Sequence, residues 1–230
     1  MKKAIISWSG GKDSALALFF CRQAGEYDVV GLLTNVNTEW NRVSMHGVRA
    51  ELIEAQAWAI GLPLFRLNLP GDVSMDAYNS LTKNRLSELK AHGITHVIYG
   101  DIFLEDLRRY REQQLREIGL EAVFPLWHQP TNDVLQTFTA AGFKAVIVCV
   151  NENRLPAAWA GRELDATIVL ELPPTVDACG ENGEYHSFVY DGPIFKKPVA
   201  FRKGDHVSRS YDSSEHWDTR FIFQDLWSPA

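Results

Sequence analysis

Ser9-Gly10-Gly11-Lys12-Asp13-Ser14, set between the apolar run Ala4 to Ser7 and the apolar stretch Ala15 to Cys21, decides how the other residues are read. A short strand that turns through two glycines into a helix is the opening unit of an α/β fold. The glycines let backbone N–H groups converge on one point without a Cβ clash. The helix N-terminus supplies partial positive charge, and Lys12 supplies a full one. A polyphosphate suits such a nest. The spacing is not that of a Walker A loop, because the lysine follows the second glycine directly. The competing reading of the same six residues is a glycine turn capped by Asp13 or Ser14.

Downstream, a glycine repeatedly stops a helix and a strand follows. Gly25 precedes Val29 to Leu33, Gly61 precedes Leu64 to Leu69, and Gly93 precedes Val97 to Tyr99. Gly119 precedes Ala122 to Phe124, and Gly142 precedes Ala145 to Val150. Each glycine suits the left-handed position past a helix end, and each following run is short and apolar. Strands alternating with helices imply a parallel sheet with right-handed crossovers. The expected fold class is therefore α/β, a doubly wound parallel sheet. Beyond about Pro125 the texture changes. A helix and a strand (Asn132 to Ala141, Lys144 to Val150) are followed by scattered prolines and by alternating segments, Tyr185 to Tyr190 and Arg220 to Leu226. A smaller C-terminal α+β domain is expected, which divides the chain into 1–125 and 126–230.

Composition narrows the partners. A net charge of −6 without a long basic run argues against a nucleic-acid partner. No apolar run reaches membrane-spanning length, and the amino-terminal residues do not resemble a signal peptide. The three widely spaced cysteines give no disulfide framework, so a reduced, cytoplasmic setting is expected. The seven histidines form no zinc-ligand spacing. The Met1-Lys2-Lys3 start leaves no amino-terminal cysteine, so an amide nitrogen would come from free ammonia or another chain. Oligomeric state stays open, a homo-oligomer included.

Ligands of an open α/β sheet bind outside the carboxyl ends of its strands. Those ends are the Ser9 to Ser14 loop, Thr34-Asn35-Val36-Asn37, Pro70-Gly71-Asp72 and Gly100-Asp101. Asp13 and Asp101 are the candidate Mg²⁺ contacts, although Asp13 also suits the helix dipole. Met45-His46-Gly47-Val48-Arg49 is expected to open the second helix, with His46 and Arg49 on one side. Arg49 there either meets a phosphate or stays solvated. Glu105, Arg108, Arg111 and Glu112 read mostly as helix-surface ion pairs, with Arg111 and Glu112 the candidates for the site. Gly180-Glu181-Asn182-Gly183-Glu184-Tyr185-His186 is a tight acidic turn feeding a strand. It suits a substrate amine or trimethylammonium group, assisted by Tyr185, Phe188 and Tyr190, or it is a polar hairpin turn.

The loop at Ser9 to Ser14 looks like the pyrophosphate loop of ATP pyrophosphatases. Together with Met45-His-Gly-Val-Arg49, Gly100-Asp-Ile102, Tyr110-Arg-Glu112, Pro125-Leu-Trp127, Gly180 to His186 and Tyr190-Asp-Gly-Pro193, it resembles the diphthine–ammonia ligase family, whose nucleotide domain is of HUP type. The resemblance implies that a substrate carboxylate attacks the α-phosphorus of ATP to form an acyl-adenylate. Pyrophosphate leaves into the loop, and ammonia displaces AMP. It implies ATP bound by Ser9, Gly10, Gly11, Lys12, Asp13, Ser14, Thr34, Asn35 and Gly100, with Lys12, Asp13, Arg49 and Asp101 catalytic. His46, Arg111, Glu112, Glu181, Glu184, Tyr185 and His186 fall on the acceptor side. Asn182 replaces the first glycine of the Glu-Gly-Gly-Glu turn common in the family. The chain is similar to the bacterial branch of the family, and bacteria do not make diphthamide. The acceptor is thus diphthine on elongation factor 2 in an archaeal or eukaryotic setting, and otherwise another carboxylate. Water in place of ammonia would make a pyrophosphohydrolase, and no turnover would make an ATP-binding regulatory module. A tRNA thiolase has no support from Cys149 and Cys179.

Overall fold

The computed structural model describes residues 1–211 and 219–229. The expected C-terminal part thus includes residues 212–218 and 230, which lie outside the described ones. The first sheet holds β1 (Lys2–Ser7), β2 (Tyr27–Asn37), β3 (Arg42–Val43), β4 (Leu64–Leu69), β5 (His96–Ile98) and β6 (Glu121–Val123). Its parallel strands run β4-β2-β1-β5-β6, and only the short β3 is antiparallel. The chain winds outward from β1 to one side, then returns to β5 on the other. The reversal between β1 and β5 is where such sheets take their ligands.

Alternation of side chains covers both faces. Ala4 and Ile6 enter one apolar cluster with α1 (Lys12–Ala24) and α2 (Ala50–Ile60), while Ile5 enters another with Leu86 and Leu89 of α3 (Met75–Ala91) and Leu115 of α4 (Glu105–Ile118). This is the expected doubly wound core. Gly25, Gly61 and Gly119 close α1, α2 and α4 in the left-handed conformation, as their sequence positions predict.

Three local expectations are corrected. Thr34 to Asn37 do not form a loop, because β2 outruns β1 and pairs with β4 through Asn37↔Leu69. Residues 45–49 do not open α2. Met45 and Gly47 take positive φ (67° and 69°), and Arg49 is the extended cap before Ala50. The strand after Gly142 does not join the parallel sheet. It is β7 (Lys144–Asn151) of a second, antiparallel sheet ordered β8-β7-β10-β9, with β8 (Tyr185–Asp191), β9 (Arg202–Tyr211) and β10 (Thr219–Trp227). The remaining helices are α5 (Thr131–Ala140) and the single turn α6 (Ile168–Glu171).

The second sheet is not a separate body. Val146, Val148 and Phe188 share one buried cluster with Leu16 and Leu52. Gln56 of α2 ties the parts together. Its amide accepts from Trp8 Nε1 (2.8 Å) and donates to the carbonyls of Gly10 (3.0 Å) and Val189 (2.6 Å). Val189 N–H in turn donates to the Gly10 carbonyl at 2.9 Å. Strand β8 therefore runs alongside the glycine loop.

Candidate functional site

A cleft of about 390 Å³ opens at the β1/β5 reversal. Ser9, Lys12, Asp13, Ser14, Asn35, His46, Gly100, Asp101, Arg111, Glu181, Tyr185 and His186 all line it. The glycine loop and the acidic turn, far apart in sequence, thus share one site because β8 lies against the loop. Gly10 has φ 81°, and a Cβ there would meet Ile53 Cδ1 at 2.5 Å. At Gly100 a Cβ would stand 2.7 Å from the Asp13 carbonyl carbon, so these two strand ends approach at backbone distance.

Lys12 begins α1 yet is only 3% exposed. Its ammonium donates to Asp13 Oδ2 at 2.9 Å and to the Cys179 carbonyl, and stands 5.2 Å over the Tyr185 ring. Burial opposes its charge, but the attraction led by Asp13 prevails and raises its pKa above the usual lysine value. Two loop N–H groups are already engaged: Gly11 donates to Ser9 Oγ (3.2 Å) and Lys12 to Ser187 Oγ (3.1 Å). These hydroxyls occupy donors that the sequence reading left open for phosphate oxygens.

Three carboxylates, Asp13, Asp101 and Glu181, line the cleft with this lysine. Burial raises the pKa of Asp13 and of Asp101. Glu181 is pushed up to about 7 by burial, and then by the charge of Asp13. Its Oε1 accepts from Ile102 N–H at 2.9 Å, which fixes the turn to the end of β5. Arg111 Nε stands 3.1 Å from Asp101 Oδ2 without hydrogen-bond alignment. Asp13 Oδ1 and Asp101 Oδ2 are buried with no hydrogen-bond partner. These carboxylate oxygens, that of Asp101 shared with Arg111, fit a Mg²⁺ that keeps water and phosphate oxygens as its other ligands. Among the described residues, no group of three or more His, Cys, Asp or Glu is arranged to hold a metal without such help.

His46 and His186 stack at 4.5 Å on the other wall, and His46 Nδ1 lies 3.2 Å from the Ser187 carbonyl. Burial lowers the pKa of both, of His46 to about 4. Neutral imidazoles here add no charge beside Lys12.

Gly10 and Gly11 shape the loop without lining the cleft, and four further expected site residues stand elsewhere. Arg49 is consumed by Asp225, with Nε–Oδ1 at 3.2 Å and Nη2–Oδ2 at 2.8 Å, and its guanidinium stacks 3.3 Å from the Trp227 ring. The loop before α2 sends it to β10 while His46 turns into the cleft, so the two do not share a face. Glu112 pairs with Arg108 (2.7 Å), which itself lies over Phe124 and Trp127. Thr34 is buried in β2 off the cleft. Glu184 is 2% exposed and accepts from Asp177 N–H (3.1 Å), Asn182 N–H (3.0 Å) and Asn182 Nδ2 (3.2 Å), so it holds the turn from inside. Nor is an aromatic box for a quaternary cation assembled. Phe188 is wholly buried, Tyr185 donates its hydroxyl to the Ala178 carbonyl, and Tyr190 bonds to Glu163. Ser44, Met45, Leu104, Leu107, Cys179 and Ser187 line the cleft without having been singled out. Met45, inside the quoted Met45 to Arg49 motif, and Ser187, next to His186, were within reach of sequence reasoning.

Residues 1–122 match the family model of the diphthamide synthase N-terminal domain, and residues 130–222 match that of the C-terminal domain. The chain is 29% identical over 230 residues to a diphthine–ammonia ligase of Bos taurus, covering 89% of this chain and 85% of that one. It is 28% identical to the Homo sapiens ligase over the same shares. To the ligase of Schizosaccharomyces pombe it is 26% identical, covering 88% of this chain and 36% of that longer protein.

Proposed function

Because the chain belongs to the diphthamide synthase family, whose two domain models together match most of its length, we propose that it is an ATP-dependent amide ligase releasing AMP and pyrophosphate. Residues 1–125 form the nucleotide half and 126–230 the acceptor half. The observation that carries this reading is the closure of the acidic turn onto the phosphate loop, through Lys12 to the Cys179 carbonyl and Glu181 to Ile102 N–H.

ATP enters with its phosphates at Ser9 to Ser14 and its nucleoside toward Asn35, Leu104 and Leu107. Lys12 turns from Asp13 to the phosphates, and Asp13 and Asp101 would hold a Mg²⁺ that neutralises phosphate charge. The acceptor carboxylate oxygen bonds to the α-phosphorus as the bond to pyrophosphate breaks. Lys12 takes up the charge that leaves. Ammonia then bonds to the acyl carbon, AMP departs with the electron pair of the acyl–oxygen bond, and Glu181 accepts the proton that nitrogen sheds. Diphthine, the acceptor that names the relatives, is the first acceptor to try.

Incubation with ATP, Mg²⁺, ammonium and a diphthine-bearing acceptor is expected to yield AMP in step with amide. Lys12→Ala is expected to lower AMP formation by a factor of about 100 or more, the scale of losing one group that stabilises transition-state charge. Formation of ADP, or AMP at the same rate without ammonium, would overturn the ligase.

A further inference from the structure

A second groove, of about 280 Å³, adjoins the cleft between the β2–β3 turn and the outer strands of the second sheet. Trp40, Met45 and Val207 line it and are 52%, 74% and 40% exposed. A cluster of exposed large apolar side chains marks an interaction surface, and tryptophan, arginine and methionine are enriched where proteins dock. Its charge is one-sided. Asp225 faces the groove, but both of its oxygens are taken, by Arg42 (2.9 Å) and Arg49 (2.8 Å). Arg209 lies 4.7 Å over the Trp40 ring and meets no carboxylate among the described residues. Among the described residues, Arg42 and Arg209 are the guanidinium groups that line the groove, and Arg42 is paired with Asp225.

The groove is continuous with the cleft. Val43, Ser44 and Met45 line both. Met45 is held at φ 67°, a conformation that long side chains seldom adopt, and its exposed side chain stands where the two spaces join.

We propose that this groove docks the protein that carries the acceptor carboxylate. An apolar side chain of that partner seats against Trp40 and Met45, an acidic neighbour meets Arg209, and the reacting carboxylate passes Ser44 into the cleft. The proposal rests on the ligase reading and adds the surface by which the acceptor is recognised. A small free acid would fill the cleft and leave Trp40 and Val207 in water.

The test supplies an extract of cells lacking this protein with the purified enzyme, ATP, Mg²⁺ and ¹⁵N-ammonium. Label is then measured in the protein and small-molecule fractions, with Lys12→Ala giving the background. Protein-bound amide label is expected with the wild type. It is expected to fall at least tenfold with the double variant Trp40→Ala/Arg209→Glu, while ATP affinity by calorimetry stays unchanged. Label confined to small molecules overturns the docking proposal and leaves the ligase standing. Protein label that the double variant does not reduce also overturns it. So does a concentration-dependent dimer abolished by Trp40→Ala, which puts a second copy on the groove. Absence of label in both fractions takes down the ligase reading and the docking with it.

Discussion

Two glutamates three residues apart in one turn have opposite fates. Glu184 points inward and satisfies three donors of the turn. Glu184→Ala leaves buried N–H groups unpaired, and a loss of about 3 kcal/mol in urea unfolding is expected. Its effect on acceptor saturation is expected only through that unfolding. Glu181 points into the cleft with its pKa pushed up to about 7. Below pH 7 its carboxyl is neutral and accepts no proton. Amide formation at saturating ATP is therefore expected to rise as pH passes through 7, and Glu181→Gln is expected to flatten that limb. The sign for stability is opposite. Between the ordinary value of 4.5 and about 7, the folded state keeps a proton that the unfolded chain has lost. This group therefore lowers stability as pH rises across that window. The acid-rich turn was legible in the sequence. Which acid faces the cleft was not, because each follows a glycine of the same turn, Gly180 or Gly183, and only the tertiary path of the turn separates them.

At the scale of elements, the strand–glycine–helix unit carried the most information. Its glycines have one strong requirement each. Gly10→Ala would place a Cβ 2.5 Å from Ile53 Cδ1 and 2.8 Å from Gln56 Oε1 at positive φ. A destabilisation of about 1–3 kcal/mol is expected, the scale of a strained backbone residue. Loss of ATP affinity in calorimetry should accompany it, since the loop cannot keep its shape. The glycine-stopped helices were equally legible, because a left-handed helix end needs no tertiary partner. The stretch 45–49 was not. Its His and Arg at helical spacing look amphipathic, yet Gly47 stands over Phe223 of β10, and Arg49 finds Asp225 there. A contact with residues nearly at the other end of the chain overrode local periodicity.

For the whole molecule, the second sheet shares its core with α1 and α2, and Gln56 bonds across the join. Both sheets are expected to unfold together, with circular dichroism and tryptophan fluorescence giving coincident urea transitions. Gln56→Leu removes the acceptor of Trp8 Nε1 and the donor to the Val189 carbonyl, while the Gly10 carbonyl keeps Val189 N–H. A loss of about 2–4 kcal/mol is expected from buried groups left unsatisfied, and separated transitions would refute the shared core. Among the described residues, no helix is long and apolar enough to cross a membrane.

The sequence by itself determined the parallel β/α core, the glycine loop at its first turn and the presence of a distinct acidic turn. Those features follow from short-range physics: period, helix stops, and glycines where a backbone must turn. Tertiary structure alone decided that Lys12 is buried against the Cys179 carbonyl, that Glu181 rather than Glu184 faces the cleft, and that Arg49 serves Asp225. Each of these depends on the turn before β8 and on β8 and β10 folding back beside the glycine loop and the loop before α2, and no local pattern encodes which distant strand will arrive there.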